Sequence, residues 1–180
     1  MGLGLKRGTV ALQPHQVMWE EAAMETVAEL KAVLAGAAVD VQHIGSTSIR
    51  SICAKPILDL VVGVRDFDDI KAKVDELEKI DVIFRGQDHP GQLLFVKGDF
   101  EQDTRTHHIH TVIYGGTEWE NYLNFRDYLN AFPEKAAEYD ALKSRLVRDF
   151  ADDRGAYTGG KQELIDRLLS EARAWRNAGK

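Results

Sequence analysis

The chain has 180 residues, 44% of them hydrophobic and 29% charged, with a formal net charge of -6. That length buries a core without staples, and the balance is that of an ordinary soluble globular protein. An acidic chain with no basic stripe excludes long nucleic acid as a partner, and the absence of any apolar run near ~18 residues excludes a membrane-spanning helix. A small anionic ligand held by a few local cations stays open. The N-terminal stretch is too short and weakly apolar for a signal peptide. The single Cys53 rules out an internal disulfide framework and points to a reducing, cytoplasmic home.

Apolar spacing predicts a first helix from Pro14 to about Leu34, with Val17, Met18, Met24, Val27, Leu30 and Leu34 on one stripe. Val39 to Ile44 and Ile57 to Val64 read as strands on either side of a small-residue loop, Gly45 to Ser51. Asp66 to about Lys79 reads as a charged amphipathic helix with Ile70, Val74 and Leu77 inward. Three strands follow, Val82 to Arg85, Leu93 to Lys97 and Thr104 to Ile113, joined by polar turns. Thr117 to Phe132, Pro133 to Phe150 and Gly160 to about Asn177 read as three closing helices. Consecutive strands with short turns favour a mixed or antiparallel sheet backed by helices, so the class is α+β. The expectation is one unit over 1–180, with a sheet-containing core at about 14–115 and a helical segment at about 116–178.

Asp59 stands inside the apolar run ILDLVVGV. Strand alternation puts it on one face with Ile57, Val61 and Gly63, while Leu58, Leu60, Val62 and Val64 face the other way. An isolated buried carboxylate costs several kcal/mol, so Asp59 must be paired, open to a cleft, or on a metal. A strand-end salt bridge would satisfy it, but the preceding Gly45, Ser46, Thr47 and Ser48 offer backbone N–H groups and hydroxyls suited to phosphate. In THHIHTV, alternation sets Thr106, His108 and His110 on one face, and His107, Ile109 and Thr111 on the other. Imidazoles two apart on a strand, about 7 Å between Cα atoms, can converge on one metal or one phosphate, or simply bond their neighbours. Asp59, His108 and His110 would together make a His/His/carboxylate set for a divalent ion. Arg126 falls on the stripe of Trp119, Tyr122, Leu123 and Leu129, Lys143 lies between Tyr139 and Leu146, and Lys161 precedes the last apolar stripe. Such inward cations either snorkel or grasp phosphate. Lys55, between the loop and Asp59, is the fourth.

Four blocks in order, HIGSTSIRSICAKPILDLVVGV, THHIHTV, NYLNFRDYLNAFPEKAAEYDALKSRL and YTGGKQELI, resemble the GrpB family from about Met18 to Trp175. That family is grouped with the nucleotidyltransferase superfamily, so the resemblance implies a small mixed sheet flanked by helices with a C-terminal helical segment. In that superfamily a Gly-Ser turn binds the triphosphate, and the next strand carries Asp-x-Asp to hold magnesium. Gly45 and Ser46 match the turn and Asp59 matches one carboxylate, but the partner positions hold Ile57 and Val61. The strand expected to carry a third carboxylate reads His108, Ile109, His110. Ser48 and Ile49 stand where relatives commonly show Ala-Val-Pro, and Arg50 and Ser51 replace a Pro-Gly step.

The resemblance implies transfer of a nucleoside monophosphate from a nucleoside triphosphate to a small acceptor. Gly45, Ser46, Thr47 and Ser48 with Lys55, Arg126 and Lys161 would hold the phosphates. Asp59 with His108 and His110 would hold Mg2+ or Mn2+, and either histidine, if free, would take the acceptor's proton. Two alternatives share the pocket: a nucleotide- or anion-binding module without turnover, and a hydrolase or lyase with a transition metal on Asp59, His108 and His110.

Overall fold

In chain order the elements are strand β1 (Leu5–Lys6), helix α1 (Val17–Val33), strands β2 (Ala38–Ile44) and β3 (Leu58–Val64), and short helices α2 (Phe67–Lys71) and α3 (Val74–Glu78). Strands β4 (Ile83–His89), β5 (Gln92–Lys97), β6 (Thr104–Arg105) and β7 (His107–Ile113) follow. Helices α4 (Thr117–Ala131), α5 (Pro133–Asp149), α6 (Arg154–Gly159) and α7 (Gln162–Ala178) complete the chain. They belong to a computed structural model that describes residues 2–151 and 153–179. Of the expected 1–180 unit, Met1, Asp152 and Lys180 therefore lie outside the described residues.

The main sheet has five strands in the order β2-β3-β7-β5-β4, with β3 and β7 parallel and every other pair antiparallel. β3 is a continuous apolar run because it is central and covered on both faces. Its even positions, Leu58, Leu60, Val62 and Val64, pack with Trp19, Ala23 and Leu30 of α1. Its odd positions face α4, where Val61 meets Trp119 and Val112. A side chain at Gly63 would place its Cβ 2.9 Å from the Trp119 ring, so the smallest residue lets the indole lie against the sheet. α4, α5 and α7 form a second apolar cluster around Tyr128, Tyr139 and Leu168, into which Ile49 and Ile52 insert from the loop after β2. Among the described residues no helix is long and apolar enough to cross a membrane.

The sheet is mixed and flanked by helices, as expected, but four local readings change. The buried stripe of α1 runs through Trp19, Ala23, Thr26, Val27 and Leu30. Val17, Met18 and Met24 are 71%, 44% and 63% exposed, because one large ring and three small residues set the packing face more than hydropathy does. The helix expected from Asp66 to Lys79 is two five-residue helices, both of which turn their apolar residue, Ile70 or Leu77, inward. The strand expected from Thr104 to Ile113 changes sheets at Thr106: β6 pairs with β1, while β7 pairs with β3 and β5. A short helix, α6, precedes α7, so Lys161 sits at the N-cap of α7 rather than inside it.

Candidate functional site

The parallel register of β3 and β7 sets Asp59 opposite His108 and Val61 opposite His110. His108 Nδ1 lies 3.2 Å from Asp59 Oδ1, and His110 Nε2 lies 3.8 Å from the same oxygen. The first is a hydrogen bond; the second is a close electrostatic contact. His110 stacks on Tyr122 with ring centroids 5.3 Å apart, and its Nδ1 is buried with no hydrogen-bond partner. A proton on that Nδ1 would be a buried donor left unmade, so the proton belongs on Nε2, facing Asp59. Burial pushes the Asp59 carboxyl up, but the two imidazoles beside it, His108 and His110, more than offset this and hold it well below the usual carboxylate range. Asp59 is therefore an anion at any ordinary pH.

Antiparallel pairing of β2 with β3 sets Ile44 opposite Asp59, so the chain leaves β2 directly above the carboxylate. Gly45 turns it there with φ 69°, in the left-handed region that favours glycine. A Cβ at Gly45 would stand 2.5 Å from Asp59 Oδ2, so the turn closes against the acid. Ser46–Ser48 then form one turn of 3-10 helix. The buried Thr47 hydroxyl pairs with His43 Nε2 at 2.9 Å, and burial pulls the His43 imidazole down to about 4, leaving it neutral.

These groups open into a cavity of about 350 Å³. The sheet supplies Asp59, His108 and His110, and the loops supply Gly45, Ser46, Thr47 and Lys55. The helical segment supplies Tyr122, Phe125, Tyr139, Lys143, Tyr157 and Lys161. Lys143 is 1% exposed; its ammonium donates to the Cys53 carbonyl and lies 3.3 Å from Asp140 Oδ1. Burial pulls its pKa down to about 8, with Asp140 opposing that shift. Lys55 and Lys161 both lie over the Tyr157 ring, 5.4 and 4.6 Å from its centroid. Burial pushes the Tyr139 phenol up to about 12, a hydrogen bond with Ser46 working the other way.

Two expected phosphate residues lie elsewhere. Arg126 donates to Gln42 Oε1 at 3.0 Å, to the His43 carbonyl at 3.1 Å and to Asp127 at 2.8 Å. It lines a separate groove of about 720 Å³ that also holds Ser48. The arginine is inward, as its stripe implied, but it serves the edge strand β2, whose outer backbone needs donors. The Ser48 hydroxyl donates to the Gly45 carbonyl at 2.6 Å, so it closes the turn instead of facing the cavity. Lys143, one of the inward cations of the sequence, does line the cavity, and so do three tyrosines that in sequence are indistinguishable from core positions of amphipathic helices.

Among the described residues that line the cavity, Asp59 is the one carboxylate. Ile57 lines the cavity, and Val61 is spent on the Trp119 contact. Among the described residues no group of three His, Cys, Asp or Glu is arranged to hold a metal, since both imidazoles close on one carboxylate oxygen.

A mixed sheet with a Gly-Ser turn over an acidic strand, backed by helices, is the nucleotidyltransferase-like fold. The solved Cid1 poly(U) polymerase with Mg 3'-dATP bound superimposes with a TM-score of 0.52 over 83% of this chain and 49% of that one, at 11% identity. At that identity the likeness concerns the fold alone. The chain belongs to the GrpB family: the family model described as GrpB protein matches residues 9–171. The crystal structure of conserved protein GrpB from Enterococcus faecalis has a TM-score of 0.83 and 31% identity, covering 92% of this chain and 99% of that one. The glutamate-rich protein GrpB of Alkalihalophilus pseudofirmus is 34% identical over 179 residues, spanning 94% of this chain and 99% of its own. The UPF0157 protein YqkA of Bacillus subtilis is 34% identical over 159 residues, 88% of this chain and 46% of the longer relative.

Proposed function

We propose that the protein is a nucleotidyltransferase that moves a nucleoside monophosphate from a nucleoside triphosphate to a small-molecule acceptor in the Asp59 cavity. The observation that carries this reading is the Asp59–His108 hydrogen bond beneath the Gly45 turn, in a cavity whose other walls hold Lys55, Lys143 and Lys161. The lysines and the turn bind the anionic triphosphate, and the aromatic walls accept the nucleoside. Asp59, too weak a base to take a proton itself, receives the His108 Nδ1–H and leaves the lone pair on Nε2. His108 then takes the acceptor's hydroxyl proton as the oxygen bonds the α-phosphorus and pyrophosphate leaves.

The donors present suit at most one ion. Asp59, with an imidazole beside it, would hold a Mg2+ or Mn2+ carried on the triphosphate, and that ion would neutralise charge at the reacting phosphate. The cytoplasm is the expected place of action, since Cys53 is the single cysteine.

A second reading, nucleotide binding without turnover, is favoured by Ile57 and Val61 at the missing carboxylate positions. Thermal shift with each nucleoside triphosphate, with and without Mg2+ or Mn2+, tests binding; pyrophosphate release in the presence of a small-metabolite pool tests transfer. Melting points unmoved by any triphosphate at millimolar concentration would overturn both readings. Binding without pyrophosphate release would leave the second.

A further inference from the structure

We infer that the outer face of α1 is the interface of a two-fold symmetric dimer, in which α1 lies antiparallel against α1 of a second copy of this chain. A surface helix carries one apolar stripe toward the core and polar residues on the opposite face. α1 departs from that pattern. Trp19, Ala23, Val27 and Leu30 pack on the sheet, yet Val17, Met18 and Met24 stand exposed on the far side, with Ala28 and Ala32 beside them. On α4, α5 and α7, by contrast, no large apolar side chain is exposed among the described residues. α1 covers the sheet face opposite Asp59, so the inference stands apart from the nucleotidyl-transfer reading.

The outer face also has a register. Val17, Glu21, Met24, Ala28 and Lys31 follow at steps of four, three, four and three, and all are exposed. That period keeps a single seam in contact along two paired helices. Placed antiparallel about a two-fold axis at the level of Thr26, the seam complements itself. Met24 of each copy meets the small Ala28 of the other, and Glu21 of each meets Lys31 of the other. Parallel pairing would set Glu21 against Glu21 and Lys31 against Lys31, so the charges select the antiparallel arrangement. Glu21 makes no ion pair among the described residues. Lys31 Nζ lies 2.8 Å from Asp40 Oδ1, but its side chain is 50% exposed and its other ammonium protons remain for Glu21. Glu25 flanks the seam near the axis, where water screens it from its own copy. Met24 and Lys31 also border the open groove of about 720 Å³, which leaves that side of the seam room for a neighbour. A helix of 17 residues is about 25 Å long, so one helix pair falls at the small end of specific interfaces. A weak dimer follows, with a Kd on the order of 10–100 μM.

Sedimentation equilibrium of the full chain, from about 10 μM to about 1 mM, tests this. Met24→Asp and Glu21→Lys each place a charge on exposed surface, so both should melt as the parent does. Each is expected to weaken self-association at least tenfold. Mixing Glu21→Lys with Lys31→Glu is expected to restore it, because each chain then presents the charge the other lacks, while each variant alone repels its own copy. Should Lys31→Glu melt early beside Asp40, Met24→Asp and Glu21→Lys still decide. A chain that stays monomeric at about 1 mM would overturn the proposal and leave the face to a different protein. Self-association that neither Met24→Asp nor Glu21→Lys moves would overturn it too, by placing the contact on another face. Two variants that melt as the parent does, yet fail to associate when mixed, would overturn the antiparallel register.

Discussion

Gly45 lies against Asp59 so closely that a Cβ on the glycine would stand 2.5 Å from Oδ2 of the acid. Gly45→Ala meets that clash and the φ of 69° together. A destabilisation of about 1–3 kcal/mol is expected, with a loss of nucleotide binding that outlasts any rescue of the fold at low temperature. Thermal melts paired with binding at 10 °C check it; a variant that melts and binds like the parent would show that the turn does not shape the site.

Asp59→Asn removes the anion that two imidazoles face. The folded carboxyl titrates below its ordinary value of 3.8, so its contribution to stability is full above that value and is lost as pH falls below it. At pH 7 the variant should lose about 1–2 kcal/mol, since an amide still accepts one of the bonds. Pyrophosphate release should fall at least a hundredfold, while His108→Gln should lose turnover and keep triphosphate affinity within threefold. Urea melts and steady-state rates on the two variants read these separately.

His107, on the opposite face of β7, is 7% exposed between the Thr26 and Thr106 hydroxyls, and burial pulls its pKa down from 6.5 to about 4. Between those values the unfolded chain binds the proton and the folded chain does not, so stability must fall as pH drops from 6.5 to 4. The full effect is on the order of 3 kcal/mol. His107→Gln should flatten that part of the curve, which equilibrium unfolding at pH 4, 5, 6 and 7 would display.

Lys143 carries the same sign of pH dependence in a higher window. Its folded pKa of about 8 lies below the ordinary 10.5, so burying the charge is unfavourable below pH 8 and is relieved as pH rises toward 10.5. Lys143→Met should raise stability at pH 7 by about 1–2 kcal/mol, after allowing for the lost bond to the Cys53 carbonyl. The same variant should bind triphosphate at least tenfold more weakly. A gain in melting point with no loss of affinity would return Lys143 to a packing role.

Strand parity was enough to put Asp59 on the face with Val61 and Gly63, because a two-residue period leaves no other choice once the run is a strand. The meeting of Asp59 with His108 and His110 is different. It depends on which strands become neighbours, and β7 reaches β3 only after three other strands have intervened. Arg126 shows the limit of helical arithmetic. Its stripe faces inward, yet inward offers both the cavity and the edge of β2, and one step around α4 decides between them. Met18 and Met24 show another limit: their hydropathy exceeds that of Ala23 and Thr26, but Trp19 fixes which side of α1 is covered.

Asp59 and His108 are 49 residues apart in the chain and adjoin only through the parallel pairing of β3 with β7. β2 with β3, and β4 with β5, are antiparallel pairs closed by shorter stretches of chain. β7 lies between these two halves in the sheet order, so it is the strand that joins them. Pairings of long sequence separation form late, because loop-closure entropy must be met before the contacts exist. A refolding chain should therefore regain most of its sheet signal before it can bind a nucleotide, and the carboxylate–imidazole contact marks the arrival of the native state.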